Sequence, residues 1–187
     1  IKNKITACSV DGTSGTIMAC NYQGNSIGKA IPYYESYTDL KQSSTSNINA
    51  QNQFISSFSS INKAIDLINK YGNKILLRHQ SDWITGWLLN NWEFGEEGNN
   101  LKLGWDPINK SWLHKIDKLS SSNLLPKIIS SGKKIGKISS SLAKEFNLSN
   151  NLQIFAGTTD SNAAVLATDA AFNQGITVLG STIVIKR

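Results

Sequence analysis

Apolar positions along the chain alternate between a period of two and a helical period, and short runs rich in glycine, serine and asparagine separate them. Ile5 to Val10 form a strand-length run, Asp11-Gly12-Thr13-Ser14-Gly15 is turn chemistry, and Thr16 to Asn21 returns as a second strand, so the pattern predicts a hairpin. Gln23 to Ser26 gives a further turn, after which Gly28 to Tyr34 reads as extended around Pro32. Lys41 to Asn52 is a polar connection. Beyond it Phe54, Phe58, Ile61, Ile65 and Ile68 recur at helical spacing, which predicts a helix near Asn52 to Tyr71 stopped by Gly72.

Leu76, Leu77, Trp83, Ile84, Trp87 and Leu88 predict a second amphipathic helix, Gly95 to Asn100 a polar loop, and Ser111 to Leu119 another helix. An irregular stretch from Leu124, holding Gly132 and Gly136, leads to a short helix over Ser140 to Phe146. The remainder reads as a strand over Gln153 to Ala156, the turn Gly157-Thr158-Thr159-Asp160 and a small-residue helix over Ser161 to Ala170. A strand over Thr177 to Leu179 then passes through Gly180-Ser181-Thr182 into another. Strand, turn and helix in that order define an α/β class, in which ligands gather where turns leave the carboxyl ends of strands. Two turns meet that description: Asp11 to Gly15, and Gly157 to Asp160.

Composition narrows the class. At 187 residues with 40% hydrophobic positions the chain can bury one real core. No window nears the roughly 18 uninterrupted apolar residues of a membrane span, and no apolar leader follows the basic start Ile1-Lys2-Asn3-Lys4. This is the pattern expected of a cytoplasmic protein. The chain opens without methionine directly into a strand and stops inside another, so both ends are expected to be cut. Its two cysteines, Cys8 and Cys20, are too few for a disulfide scaffold and read as reduced, buried thiols; a pairing across the first turn is the alternative. The net charge of +6 is spread from Lys29 to Lys186 without interleaved aromatics, which suits a phosphorylated substrate as well as a nucleic acid.

Local chemistry at the turns leaves alternatives open. Gly157 permits tight reversal and sets Asp160 at the start of a helix, where it can be a cap or a base that orients an attacking hydroxyl. Asp11 to Thr16 offers backbone N–H groups and hydroxyls to sugar or phosphate oxygens, or is simply a polar turn. Gly180-Ser181-Thr182 has the same make-up and could cradle phosphate. Gly132-Lys133-Lys134-Ile135-Gly136-Lys137 mimics a phosphate-binding loop but is one residue short between glycines, and Ile138 stands where a metal-binding hydroxyl is needed. His79 and Asp82, three apart, read as an ordinary contact rather than a metal site. Trp83 and Trp87 read as core before they read as a wall for a sugar ring.

In their order, several blocks resemble the FGGY carbohydrate kinases, and within them the pentulose kinases typified by D-ribulokinase and xylulokinase. The blocks are Ser9-Val10-Asp11-Gly12-Thr13-Ser14-Gly15-Thr16, Ile31-Pro32-Tyr33-Tyr34-Glu35, His79-Gln80-Ser81-Asp82-Trp83, Lys102-Leu103-Gly104-Trp105-Asp106 with Trp112, Leu124-Leu125-Pro126-Lys127, Gly157 to Ala164, and Leu179-Gly180-Ser181-Thr182. The resemblance implies an actin-like, RNase H-like fold of the ASKHA superfamily, incomplete and with a helical insertion. Residues 1–179 would be most of the sugar-binding domain without its first strands, and residues 180–187 the start of the nucleotide-binding domain. It implies phosphorylation of D-ribulose or D-xylulose by ATP with Mg2+, both held mainly by regions outside this chain, with no resident metal ligands here.

Residue by residue, it makes Asp160 the catalytic base and a sugar contact, Gly12, Thr13 and Ser14 the turn that approaches the sugar, and Gly180, Ser181 and Thr182 a phosphate contact. Glu35 falls where the family commonly carries a sugar-binding aspartate, and its extra methylene departs from that pattern. Asp169 replaces a usually small residue. The partners implied are the pentulose and ATP, with neither nucleic acid nor membrane; a homodimer is left open. A non-catalytic sugar-binding module, or an inactive kinase fragment, is the alternative.

Overall fold

The computed structural model describes residues 4–36, 59–113, 116, 123–179 and 183–186. Its centre is a three-stranded sheet in which β2 (Ile17–Cys20) lies between β3 (Ser26–Ile31) and β4 (Leu76–His79), antiparallel to both. All four β2 residues are buried, and successive side chains of a strand point to opposite faces. Ile17 and Ala19 therefore join Leu77 in the main core, while Cys20 and Leu76 pack with Trp92 on the other face. The main core is completed by Ala64 and Leu67 of α1 (Ser60–Tyr71) together with Leu103 and Leu124. Ser59 begins α1 by accepting the Ile61 N–H, and Gly72 ends it at φ 77° with its N–H donated to Ile68 O. That stop is the predicted one; the predicted start, in residues 52–58, lies outside the described residues.

The predicted first hairpin does not form. β1 (Ala7–Ser9) belongs to another sheet, where it runs parallel to β10 (Gln153–Phe155), which is itself antiparallel to β9 (Lys134–Lys137). The main chain of the intervening turn is bonded to distant residues, so the two flanking strands diverge. Cys8 and Cys20 accordingly sit in different sheets as free thiols, both raised in pKa by burial, Cys20 to about 11 against the opposing charge of Arg78.

Four further expectations change. Leu76 and Leu77 are not helical: they lie in β4, whose four residues are all buried, and only then does α2 (Gln80–Leu89) begin. A segment buried on both faces shows no alternation, which is why its doublet matched a helical template. Gly95 to Asn100 is not a loop but β5 (Phe94–Glu96) and α3 (Glu97–Asn100), with the Glu96 carboxylate accepting the Gly98 and Asn99 N–H groups. The stretch after Leu124 contains β8 (Lys127–Ile129), parallel to β5, and then β9, so the glycine-lysine run is a turn at Gly132 followed by a strand. The two-residue strands β6 (Trp105–Asp106) and β7 (Ser111–Trp112) pair, so the predicted helix does not start at Ser111.

The last third follows its prediction more closely. α4 (Ser140–Glu145) and β10 form a second small core through Leu142, Ala143 and Ile154. α5 (Asp160–Leu166) starts one residue earlier and ends four earlier than the predicted helix. β11 (Ile176–Leu179) and β12 (Ile183–Lys186) pair as an antiparallel hairpin with Leu179, Ile183 and Ile185 exposed. Among the described residues no helix is long and apolar enough to cross a membrane.

Candidate active site

The turns singled out from the sequence, more than 140 residues apart, meet. Gly12 bridges Thr159 in parallel fashion; the Gly12 N–H donates to Thr158 O at 3.3 Å and the Asp160 N–H donates to Gly12 O at 3.0 Å. The Asp11 carboxylate accepts the Thr158 N–H at 2.7 Å. This contact extends the β1–β10 pairing past the carboxyl ends of both strands, the place where α/β folds gather ligands.

Asp160 is exposed at the first position of α5, and the capping role belongs to its neighbour: Thr159 Oγ1 accepts the Asn162 N–H. Asp160 Oδ1 accepts the Ser161 N–H at 2.7 Å, and Oδ2 has no partner among the described residues. The carboxylate is thus oriented by its own backbone with one oxygen open.

Thr13 and Thr16 share a hydrogen bond between their hydroxyls at 2.8 Å, and Thr16 Oγ1 also accepts the Tyr33 N–H, which ties the turn to the end of β3. Gly12 packs against Ser81 closely enough that a Cβ there would stand 3.0 Å from the Ser81 Cβ. Ser14 contributes its carbonyl, which accepts from Lys102 Nζ at 3.1 Å. Glu35 follows Pro32 in a turn closed by its own N–H, and its side chain is exposed. Gly180, Ser181 and Thr182 lie outside the described residues.

Two lysines that the sequence reading passed over organise this surface. Lys63 has no exposed surface and spends its ammonium on three carbonyls, Gly15 O at 3.1 Å, Pro32 O at 2.6 Å and Tyr33 O at 3.3 Å. Burial lowers its pKa, Lys102 lowers it further, and Glu35 acts in the opposite direction. Lys102 is held over the turn by Ser14; partial burial lowers its pKa and the Asp160 carboxylate opposes that shift. Two neighbouring cations, Lys102 and Lys63, are therefore flanked by carboxylates, Asp160 on the Lys102 side and Glu35 on the Lys63 side. A signal for Lys63 existed in the sequence, because it stands four residues before Leu67 and three after Ser60 on the buried face of α1. Nothing local marked Lys102.

His79 is wholly buried; its Nε2 shares a hydrogen bond with Ser60 Oγ at 2.9 Å, and its Nδ1 lies 3.8 Å from Asp82 Oδ2. Asp82 in turn accepts the Glu96 N–H and an Asn100 side-chain N–H. This polar network supports the floor under Gly12 and is the core contact expected of the pair. Trp83 donates to Gly24 O and Trp92 donates to Trp83 O, so both indoles brace the central sheet, whereas Trp87, expected in the core, is 39% exposed and meets Phe146 edge-on. Among the described residues no group of three or more His, Cys, Asp or Glu could hold a metal ion.

The fold is one found in solved carbohydrate kinases. The chain superposes with a TM-score of 0.81 on a carbohydrate kinase from Novosphingobium aromaticivorans, at 18% identity over 98% of this chain and 43% of that one. It superposes with 0.76 on a ligand-bound xylulose kinase from Lactobacillus acidophilus, at 16% identity over 91% of this chain and 37% of that one. For a glycerol kinase from Plasmodium falciparum with ADP the TM-score is 0.71, at 16% identity over 84% and 35% of the respective chains. At such identities the likeness establishes the fold, and this chain spans well under half the length of those kinases. No family model matches the chain.

Proposed function

We propose that this chain carries the sugar-binding part of an ATP-dependent kinase of the FGGY type, acting on a pentulose, D-ribulose or D-xylulose, with Asp160 as general base. The observation that carries the reading is the docking of the Asp160 turn onto the Gly12 turn. It presents one open carboxylate oxygen beside Lys102 and the hydroxyl-rich Thr13-Ser14 segment. A sugar seated on Gly12, Thr13 and Ser14, with Glu35 at its far end, brings a hydroxyl to Asp160. Asp160 accepts the hydroxyl proton as that oxygen attacks the γ-phosphorus of ATP and ADP leaves. Phosphoryl transfer depends mainly on such positioning and on charge placed around the reacting group, which Lys102 supplies. The pentulose assignment is supported by the order of the sequence blocks and by the likeness to a xylulose kinase. Gly180, Ser181 and Thr182 would contact phosphate. Magnesium would arrive with the nucleotide and be held mainly by regions outside this chain.

The test is Asp160→Asn in the natural protein. Phosphorylation of D-ribulose and D-xylulose falls by at least about 100-fold, the low end for a general base, while the sugar dissociation constant changes little. Full activity in the variant removes Asp160 from the mechanism, and sugar binding without phosphorylation in the unaltered protein favours a binding module.

A further inference from the structure

On the opposite face of the central sheet, β4 carries a cation that phosphoryl transfer does not use. Arg78 is only 2% exposed. Its Nε donates to Trp92 O at 2.6 Å, and its Nη1 donates to Leu77 O at 2.7 Å and to Leu124 O at 2.9 Å. Those bonds use three of the five guanidinium protons. Among the described residues the two protons on Nη2 have no acceptor, and no carboxylate lies within ion-pair distance. Burial lowers the Arg78 pKa to about 10, with Cys20, Asp82 and Glu93 opposing, so the group is charged at neutral pH.

A buried charge with no counter-ion is costly, and a guanidinium clamped by three carbonyls is a donor already oriented for an incoming anion. Arg78 lines a cavity of about 350 Å3 whose polar side is made by Tyr22, Asn91, Asn123, Lys127 and the carboxylate of Glu93, and whose apolar side includes Trp92. At the rim Lys127 pairs with Glu93 at 2.6 Å, the two side chains 71% and 44% exposed. So exposed a pair holds weakly, and Lys127 is free to turn toward a ligand.

The geometry points to an anion-binding site in this cavity, taking a small organic anion whose phosphate or carboxylate head accepts the Arg78 Nη2 protons and draws Lys127 from Glu93. Tyr22, Asn91 and Asn123 are placed to meet hydroxyls on its body. The volume is at the small end of ligand pockets, which suits a phosphorylated sugar or a tricarboxylate. The site stands independently of the kinase reading, because it shares no residue with the Asp160 cleft.

Inorganic phosphate and citrate, titrated separately into the protein, test it through the amide resonances of Asn91, Glu93 and Asn123. Saturable shifts with either anion are expected, and the two arms tell phosphate from carboxylate recognition. Arg78→Ala endangers the fold, so the decisive variants are the exposed Asn123→Asp and Lys127→Ala. A carboxylate at position 123 weakens binding about tenfold, equivalent to about 1.4 kcal/mol, and Lys127→Ala weakens it several-fold. No saturable binding of either anion overturns the proposal. So does binding that both variants leave intact, or that Lys102→Ala abolishes, since such an anion sits in the Asp160 cleft.

Discussion

Gly157 marks the tightest point of the junction that builds the site, and replacing it by alanine gives the sharpest test of how that junction works. The new Cβ would stand 2.1 Å from Val10 O and 2.6 Å from Asp11 Oδ1, whereas real Cβ contacts essentially never fall below 3.0 Å. Val10 O is main chain and cannot rotate aside, so the two segments must part by about 0.9 Å. Three hydrogen bonds cross that gap: Thr158 N–H to Asp11, Gly12 N–H to Thr158 O, and Asp160 N–H to Gly12 O. Each is worth about 0.5–1.5 kcal/mol net and overpacking adds about 1–3 kcal/mol, so the expected loss is roughly 2.5–7.5 kcal/mol. Urea unfolding measures it as a lower midpoint with unchanged slope. Gly132→Ala is the control: its φ of 74° strains an alanine but nothing lies within 4 Å, so only the backbone cost of about 1–2 kcal/mol remains. In the natural protein, on the proposed role of Asp160 as base, its displacement lowers turnover about 100-fold. A Gly157→Ala protein that unfolds at the wild-type midpoint refutes the steric argument.

Other outcomes follow from single groups. Lys63→Met keeps the methylenes and removes the ammonium shared by three carbonyls, costing about 2–4 kcal/mol in urea unfolding. Because the folded pKa of Lys63 lies below its ordinary 10.5, the unfolded chain binds the proton more tightly. Stability therefore rises with pH between the folded value and 10.5, and that increment disappears in Lys63→Met. Asp106 accepts from the Asn109 side chain and from the Asn109 and Ile108 N–H groups, which hold its pKa below the ordinary 3.8. A carboxyl titration followed by NMR should place its midpoint there, and Asn109→Ala should move it back toward 3.8; an unchanged midpoint removes Asn109 as the principal cause.

What the sequence revealed was local punctuation. Gly72 as a stop, α4, β10 and the turn at Gly157 are all set by nearby residues and were legible. Strand partnership was not: β1 pairs with a strand far along the chain, and no spacing within Ile5 to Asn21 records that. Burial on both faces disguised β4, and Glu96, Asn99 and Asn100 read as a loop because their polarity is satisfied by one another and by Asp82. At the site, Asp160 and Gly12 were visible as turn chemistry. Their cation neighbour Lys102 was not, because it comes from a short 3-10 turn anchored by the buried Leu103. A lysine on a turn looks like a surface residue until the fold places a carboxylate beside it.

The parallel pairing of β1 with β10 also has a meaning in time. A ribosome adding about 5–20 residues per second must run on for roughly seven to thirty seconds after Asp11 emerges before Thr158 exists to receive it. During that interval the β2–β3 antiparallel pair, close in sequence, can already form, while β1 waits beside it with its hydrogen-bonding edges bare. The carboxylate proposed for catalysis is thus aligned by a contact that waits for more than 140 residues beyond Asp11, and a nascent protein stalled short of Gly157 would hold much of its core and none of its Asp160 site.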